Sequence, residues 1–127
     1  MTDTHSGTYS GGCLCGASRF AFSGDPKFAI QCFCRDCQHV SGGGHLPQMA
    51  VDRAALTRTG PIRTFESTAA SGSTLGFHFC ADCGSPLLKT TTRAPDLVFV
   101  YPGALDDPAL YTPGRDVFED SRQPWDV

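Results

Sequence analysis

The cysteines are the residues whose type and spacing could do chemistry. Seven of them in a chain of 127 residues fall into three tight groups. Cys13 and Cys15 form a CxC, Cys32, Cys34 and Cys37 form a CxCxxC, and Cys80 and Cys83 form a CxxC followed by Gly84. None is isolated. Close pairs of thiolates let a tight turn present two sulfurs at about 2.3 Å from one zinc ion, and a glycine after CxxC accommodates the turn that such a knuckle demands. An odd number of cysteines weakens a disulfide framework. A thioredoxin-like dithiol would open a long helix in a βαβ setting, whereas "FHFCADCGSPLL" reads as a knuckle between two strands.

Seven ligands divide as four plus three, one closed site and one open site. Spacing alone leaves two divisions. A zinc ribbon would join Cys34 and Cys37 to Cys80 and Cys83, but the intervening segment 38–79 is far longer than the roughly 15 to 20 residues of the compact pattern. The other division joins Cys13, Cys15, Cys80 and Cys83 and leaves the trio. It is favoured because three thiols within six residues meet one ion with almost no loop closure.

The two kinds of site imply different chemistry. Four thiolates leave no free position, so that zinc would tie distant parts of the chain together. Three thiolates leave a fourth position open, yet they also leave the ion with a charge of about −1, which makes it a poor activator of water. A substrate thiol is the natural fourth ligand. Held as a thiolate beside a small aldehyde, it would form an S-hydroxymethyl adduct or catalyse the reverse carbon–sulfur cleavage.

The elements that must position these groups are short strands. Segments rich in β-branched and aromatic residues recur at 18–22, 27–33, 46–51, 62–66, 74–79, 87–92 and 97–101 between turn signals, which predicts a mainly β chain of small antiparallel sheets. Helical patterns are brief, at 35–40, 53–56 and 106–110. The length fits one domain, and 14 Gly with 9 Pro predict many turns. Residues 1–10 read as a flexible polar lead-in and residues 11–127 as the zinc-binding domain. "SGGGH" at 41–45 reads either as a plain loop or as backbone close to a ligand.

A net charge of −3, without a run of Lys or Arg, excludes general attraction to nucleic acid or anionic membrane. No apolar run approaches the roughly 20 residues of a membrane span, and no secretory signal is recognisable. A soluble, cytoplasmic protein with small-molecule partners is therefore expected, and in a reducing compartment its thiols would be ligands or catalysts.

The motifs together resemble the glutathione-dependent formaldehyde-activating domain, shared with the CENP-V group. The pieces that carry the resemblance are "GGCLCGASRF", "CFCRDCQHVSG", "FCADCGSPL", "PGALDDP" and "SRQPW", in the family's order over nearly the whole chain. The resemblance implies a β-tent-like fold with two zinc ions. In it, Cys13, Cys15, Cys80 and Cys83 match the ligands of a structural zinc, and Cys32, Cys34 and Cys37 those of a catalytic one. It also implies a carbon–sulfur lyase of the S-(hydroxymethyl)glutathione synthase type. Phe33 stands where the family often has His, and His78 where it often has a basic residue. The residues leave two other readings open: a non-catalytic zinc-stabilised binding or thiol-carrier module, and a redox sensor using Cys34 and Cys37.

Other polar groups are secondary candidates. His39 and His45 flank the trio and could shuttle protons, or be loop histidines. Arg35 and Asp36 could bind a polar substrate group or form a solvated turn. His78 alternates with Phe77 and Phe79 and is expected to point away from the core, while His5 lies in the lead-in. Trp125 and Phe118 are expected to pack the C-terminal tail onto the core.

Overall fold

A computed structural model describes residues 7–127. The chain order is β1 (Thr8–Gly12), β2 (Arg19–Ser23), β3 (Phe28–Cys32), α1 (Arg35–Ser41), β4 (Leu46–Asp52), β5 (Leu56–Thr59), β6 (Ile62–Thr68), β7 (Thr74–Cys80), β8 (Pro86–Thr91), β9 (Leu97–Val100) and β10 (Arg115–Val117). Short 3-10 turns lie at Arg53–Ala55, Pro102–Ala104, Pro108–Leu110 and Glu119–Ser121. The mainly β class expected from the sequence is what the chain adopts. No helix among the described residues is long and apolar enough to cross a membrane.

The strands make two layers. A three-stranded antiparallel sheet, β1-β2-β5, covers one face of a seven-stranded sheet ordered β10-β3-β4-β9-β8-β7-β6. Only the β10–β3 pair in the larger sheet is parallel. Alternation along each strand sends successive side chains to opposite faces. Met49, Val51, Leu88, Val98 and Val100 meet Tyr9, Phe20 and Phe22 of the smaller sheet to form the core. Tyr9 and Phe22 stack with ring centroids 4.6 Å apart. The other face carries a row in direct cross-strand register: Phe65 beside Phe77, Phe77 beside Lys89, Lys89 beside Phe99, Phe99 beside Ala50 and Ala50 beside Phe28. Cys32, two residue pairs beyond Phe28 on β3, shares that face, and α1 follows it directly.

Several local expectations are corrected. The lead-in expected over residues 1–10 gives way to β1 at Thr8, which pairs along its length with β2; residues 1–6, His5 among them, lie outside the described residues. β1, β5 and β10 lack a strong apolar alternation and are strands because neighbours supply their hydrogen bonds. The patterns at 53–56 and 106–110 shorten to single 3-10 turns, whereas 35–40 becomes α1.

His78 does not point away from the core. It is 7% exposed, on the face covered by the smaller sheet. Its Nδ1 meets Thr64 Oγ1 at 2.8 Å and Arg58 Nη1, from β5, at 3.2 Å, while Nε2 meets Thr90 Oγ1 at 2.9 Å. Burial, then the charges of Arg58 and Arg53, lower its pKa to about 4, so it is a neutral link between the two layers. Period-two alternation identified the right pairing of faces but not which face was covered.

Phe118 and Trp125 are 63% and 66% exposed, so neither packs the tail onto the core. Polar groups hold it instead. Gln38 Nε2 donates to Ser121 O at 2.9 Å, and His45 Nδ1 meets Asp126 Oδ2 at 2.8 Å. Arg122 lies over the Phe33 ring at 4.0 Å. The close approach expected of the glycine loop is to this tail: a Cβ at Gly44 would overlap the Asp126 carboxylate.

The core layer sets stability, which gives a first prediction. Phe22→Ala should cost about 3–5 kcal/mol in urea unfolding, because it opens a cavity beside Tyr9. Phe65→Ala, at a side chain 64% exposed, should stay within about 0.5 kcal/mol of the parent.

Candidate metal centres and the adjoining cavities

Two knuckles interlock to make the four-cysteine cluster. Cys13 and Cys15 lie in the turn after β1, and Cys80 and Cys83 in the turn between β7 and β8. The first turn is closed by Cys13 N donating to Ser18 O at 3.0 Å, and Ser18 N donates to Cys13 Sγ at 3.2 Å. The second is closed by Gly84 N donating to Cys80 O at 2.8 Å, with Gly84 at φ +78°, a left-handed backbone that disfavours side chains. Leu14 N donates to Ser85 Oγ at 3.0 Å and joins the two turns. The Ser85 hydroxyl and backbone N–H groups of Cys15 and Ser85 lower Cys83 to about 5, so this thiol is already prepared to act as a thiolate.

The four sulfurs lie within 4.8 Å of one another. Cys13 Sγ is 3.6 Å from Cys15 Sγ, and Cys15 Sγ is 3.9 Å from Cys80 Sγ. Tetrahedral coordination with Zn–S bonds of about 2.3 Å requires sulfurs about 3.8 Å apart. The cluster therefore fits a tetrahedral metal ion with little adjustment.

The trio forms where β3 meets α1. Cys32 ends the strand, Cys34 caps the helix and accepts a hydrogen bond from Cys37 N at 3.4 Å, and Cys37 lies in the first turn. Their sulfurs also lie within 4.8 Å of one another. Cys32 and Cys37 are buried and Cys34 is half-buried. Hydrogen bonds from Cys32 and then Cys37 hold Cys34 down at about 2, while contacts with Cys32, then Cys34, push Cys37 up. Ionising one of these thiols therefore makes its neighbours hold their protons more tightly. A dication in place of those protons is the electrostatically natural occupant.

No histidine nitrogen or carboxylate oxygen of the described residues joins the trio at that distance. His45 is engaged by Asp126, and its ring lies 4.7 Å from that of Phe33. Phe33, 1% exposed between His45 and Arg122, thus fills structural space beside the trio. Arg35 donates to Gln38 Oε1 within α1. Asp36 and His39 instead face a cavity of about 410 Å³ between α1 and the sheet, shared with Phe65, Phe77, Phe79 and Tyr101. A second cavity, of about 660 Å³, meets the first at Tyr101 and Pro86 and is also lined by Arg19, Ser41, Leu46, Ser85 and Asp106.

Two residues at this junction were not anticipated from the sequence. Tyr101 packs with Cys32, Cys37 and Leu46. Gln48 is fully buried, and its Nε2 reaches Cys37 Sγ at 3.5 Å and Leu46 O at 3.4 Å. The β4–β9 register, in which Met49 faces Val100, brings Gln48 opposite Tyr101 at the next pair. Gln48 Oε1 and the Tyr101 hydroxyl are both buried without a hydrogen-bond partner among the described residues. Buried polar atoms are normally paired, so these two orphans beside a thiol cluster are groups that an ordered water or a ligand atom would satisfy. A polar Gln inside the apolar run "LPQMAV" was the available signal.

Comparison with known proteins gives this architecture a family. The model of the family described as glutathione-dependent formaldehyde-activating enzyme matches residues 8–121. The chain belongs to this family. A relative from Halomonas elongata, named "Putative glutathione-dependent formaldehyde-activating enzyme", is 30% identical over 113 residues, covering 83% of this chain and 70% of the relative. A crystal structure of a Rhodobacter sphaeroides protein is similar at a TM-score of 0.60 and 16% identity, covering 82% of this chain and 97% of that one. That similarity concerns the fold. The family model begins where β1 does and spans both cysteine clusters.

Both clusters are shaped to hold metal, so the reduced protein should take up two divalent ions per chain by native mass spectrometry. Cys37→Ser should reduce the uptake to one. A chain that binds no metal when fully reduced would contradict the geometry.

Proposed function

We propose that the chain is a zinc-dependent enzyme that joins a small thiol of the glutathione type to an aldehyde, forming an S-hydroxyalkyl adduct, and that also catalyses the reverse cleavage. The observation that carries the reading is the pairing of a three-sulfur cluster with unpartnered buried polar groups beside it. The family and the printed name of the Halomonas relative support glutathione and formaldehyde as the chemical types.

In this reading Cys13, Cys15, Cys80 and Cys83 hold a structural zinc, and Cys32, Cys34 and Cys37 hold a second one. Zinc at the trio would supply an open position that keeps a substrate thiol deprotonated near neutral pH. The remaining work falls to the protein. The carbon–sulfur bond forms as the carbonyl π pair moves to oxygen, and that oxygen then needs a proton. Tyr101 holds one: burial, then the neighbouring Cys37, raise its hydroxyl far above the usual value, so it remains a donor. The proton released by the substrate thiol balances the one delivered to the oxygen, and nothing is oxidised. Gln48 Oε1 is a suitable acceptor for the hydroxyl so formed. His39, at the cavity wall, can relay protons to solvent.

The closed site is expected to govern folding and the open site to govern chemistry. Structural zinc contributes on the order of 10–16 kcal/mol in small domains, comparable to the stability of a whole domain. Cys80→Ser should therefore abolish cooperative unfolding, whereas Cys34→Ser should stay folded, lose one zinc and form no adduct by mass spectrometry. Equal unfolding of both variants would reject this division of roles. Tyr101→Phe should keep both zinc ions and slow adduct formation by about 10²–10⁴-fold, the range for a lost proton donor. A rate within about twofold of the parent would remove Tyr101 from the mechanism.

A further inference from the structure

Formaldehyde has two non-hydrogen atoms, so it needs little more room than a water molecule, which takes about 30 Å³. The cavity between α1 and the sheet is about 410 Å³, within the volume range of sites for drug-sized ligands. Its chemistry is selective. Phe65, Phe77 and Phe79 come from β6 and β7, Tyr101 also lines it, and Asp36 is the only formally charged residue in its lining apart from the titratable His39 and His78, the latter held neutral by burial. No lysine or arginine lines it. A peptide thiol of the glutathione type carries two carboxylates, and no cation in this lining could receive them. The 660 Å³ cavity on the other side of Tyr101 suits such a molecule better. It contains Ser41, Ser85 and the Arg19–Asp106 ion pair, whose closest contact is 2.5 Å.

We infer that the aromatic cavity receives the body of the carbonyl partner, and that the chain's aldehyde substrates include aryl aldehydes. The inference rests on the thiol–aldehyde reading above and names the substrate class for that site. A flat ring would meet the faces and edges of three phenylalanines, contacts that add to simple area burial. With the ring there, the carbonyl end would lie toward Tyr101, which with Pro86 is shared by both cavities and which packs against Cys32 and Cys37. The reaction balances as before. The thiol sulfur bonds to the aldehyde carbon, the carbonyl oxygen becomes a hydroxyl by taking the proton that the thiol gives up, and no group leaves.

The test uses the zinc-loaded full chain. Benzyl alcohol, a non-reacting probe, is followed by NMR shifts of the Phe65 and Phe77 rings, both with zinc present and after its removal. Adduct formation is followed by NMR for glutathione with benzaldehyde, for glutathione with formaldehyde, and for benzyl mercaptan with formaldehyde. The expected result is a saturable shift from benzyl alcohol that survives zinc removal, together with catalysed formation of the benzaldehyde–glutathione adduct. In Phe65→Ser the benzaldehyde-to-formaldehyde rate ratio should fall roughly tenfold. Phe77→Leu, which keeps an apolar side chain at a buried position, should lower the same ratio. No probe shift and no catalysis with benzaldehyde, while the formaldehyde adduct still forms, would overturn this inference and leave the thiol–aldehyde reading standing. Catalysis with benzyl mercaptan and formaldehyde but not with glutathione and benzaldehyde would overturn it also, because the ring would then belong to the thiol. Binding of the probe with no adduct from any pair would overturn both.

Discussion

Thiols held with their sulfurs within 4.8 Å of one another cannot all ionise unless positive charge stands among them. In the trio the conflict is visible: Cys34 is driven to the thiolate and Cys37 away from it. Such an arrangement persists only because the surrounding backbone fixes it. The end of β3 and the first turn of α1 hold the three sulfurs through adjacent residues, so their convergence needs almost no long-range folding. The four-cysteine cluster is the opposite case. Its two turns come from parts of the chain far apart in sequence and meet only when β1 has paired with β2 and β7 with β8.

That contrast separates the two clusters physically. One joins the edges of the two layers, and its loss would release the layers from each other. The other stands on the face of the large sheet that the small sheet leaves uncovered. The core needs one face of the seven-stranded sheet, and Met49, Val51, Val98 and Val100 fill it. The opposite face is thereby available for a helix, a row of aromatic rings and the 410 Å³ cavity lined by Tyr101. The core and the trio use opposite sides of the same strands, so residues adjacent in sequence, such as Gln48 and Met49, have different neighbours.

The C-terminal tail is held by polar and stacked groups rather than by its large apolar residues. Phe33 is enclosed by His45 and the Arg122 guanidinium, and Asp126 orients His45 while Arg122 also pairs with Asp116 at 2.9 Å. The tail thus covers the trio's rear through charged and polar groups. Its large apolar residues, Phe118 and Trp125, remain in solvent. Sequence reasoning assigned the holding role to those aromatics because burial is their usual fate, but Gln38, His45 and Phe33 offered partners that matched Arg122 and Asp126 better.

The sequence by itself determined the mainly β class, seven of the strands, the short helix after the trio, and the grouping of the cysteines. These follow from local signals: alternation, turn residues and close spacing of ligands. It did not determine that β1, β5 and β10 are strands, because their hydrogen bonds come from partners and their side chains carry no clear pattern. It did not show which face of β7 is covered, so His78 was assigned to solvent although the small sheet buries it. Nor could it reveal Gln48 and Tyr101 as neighbours of the trio. Their proximity depends on the register between β4 and β9, a pairing across half the chain, and only tertiary structure decides which residues a register brings face to face.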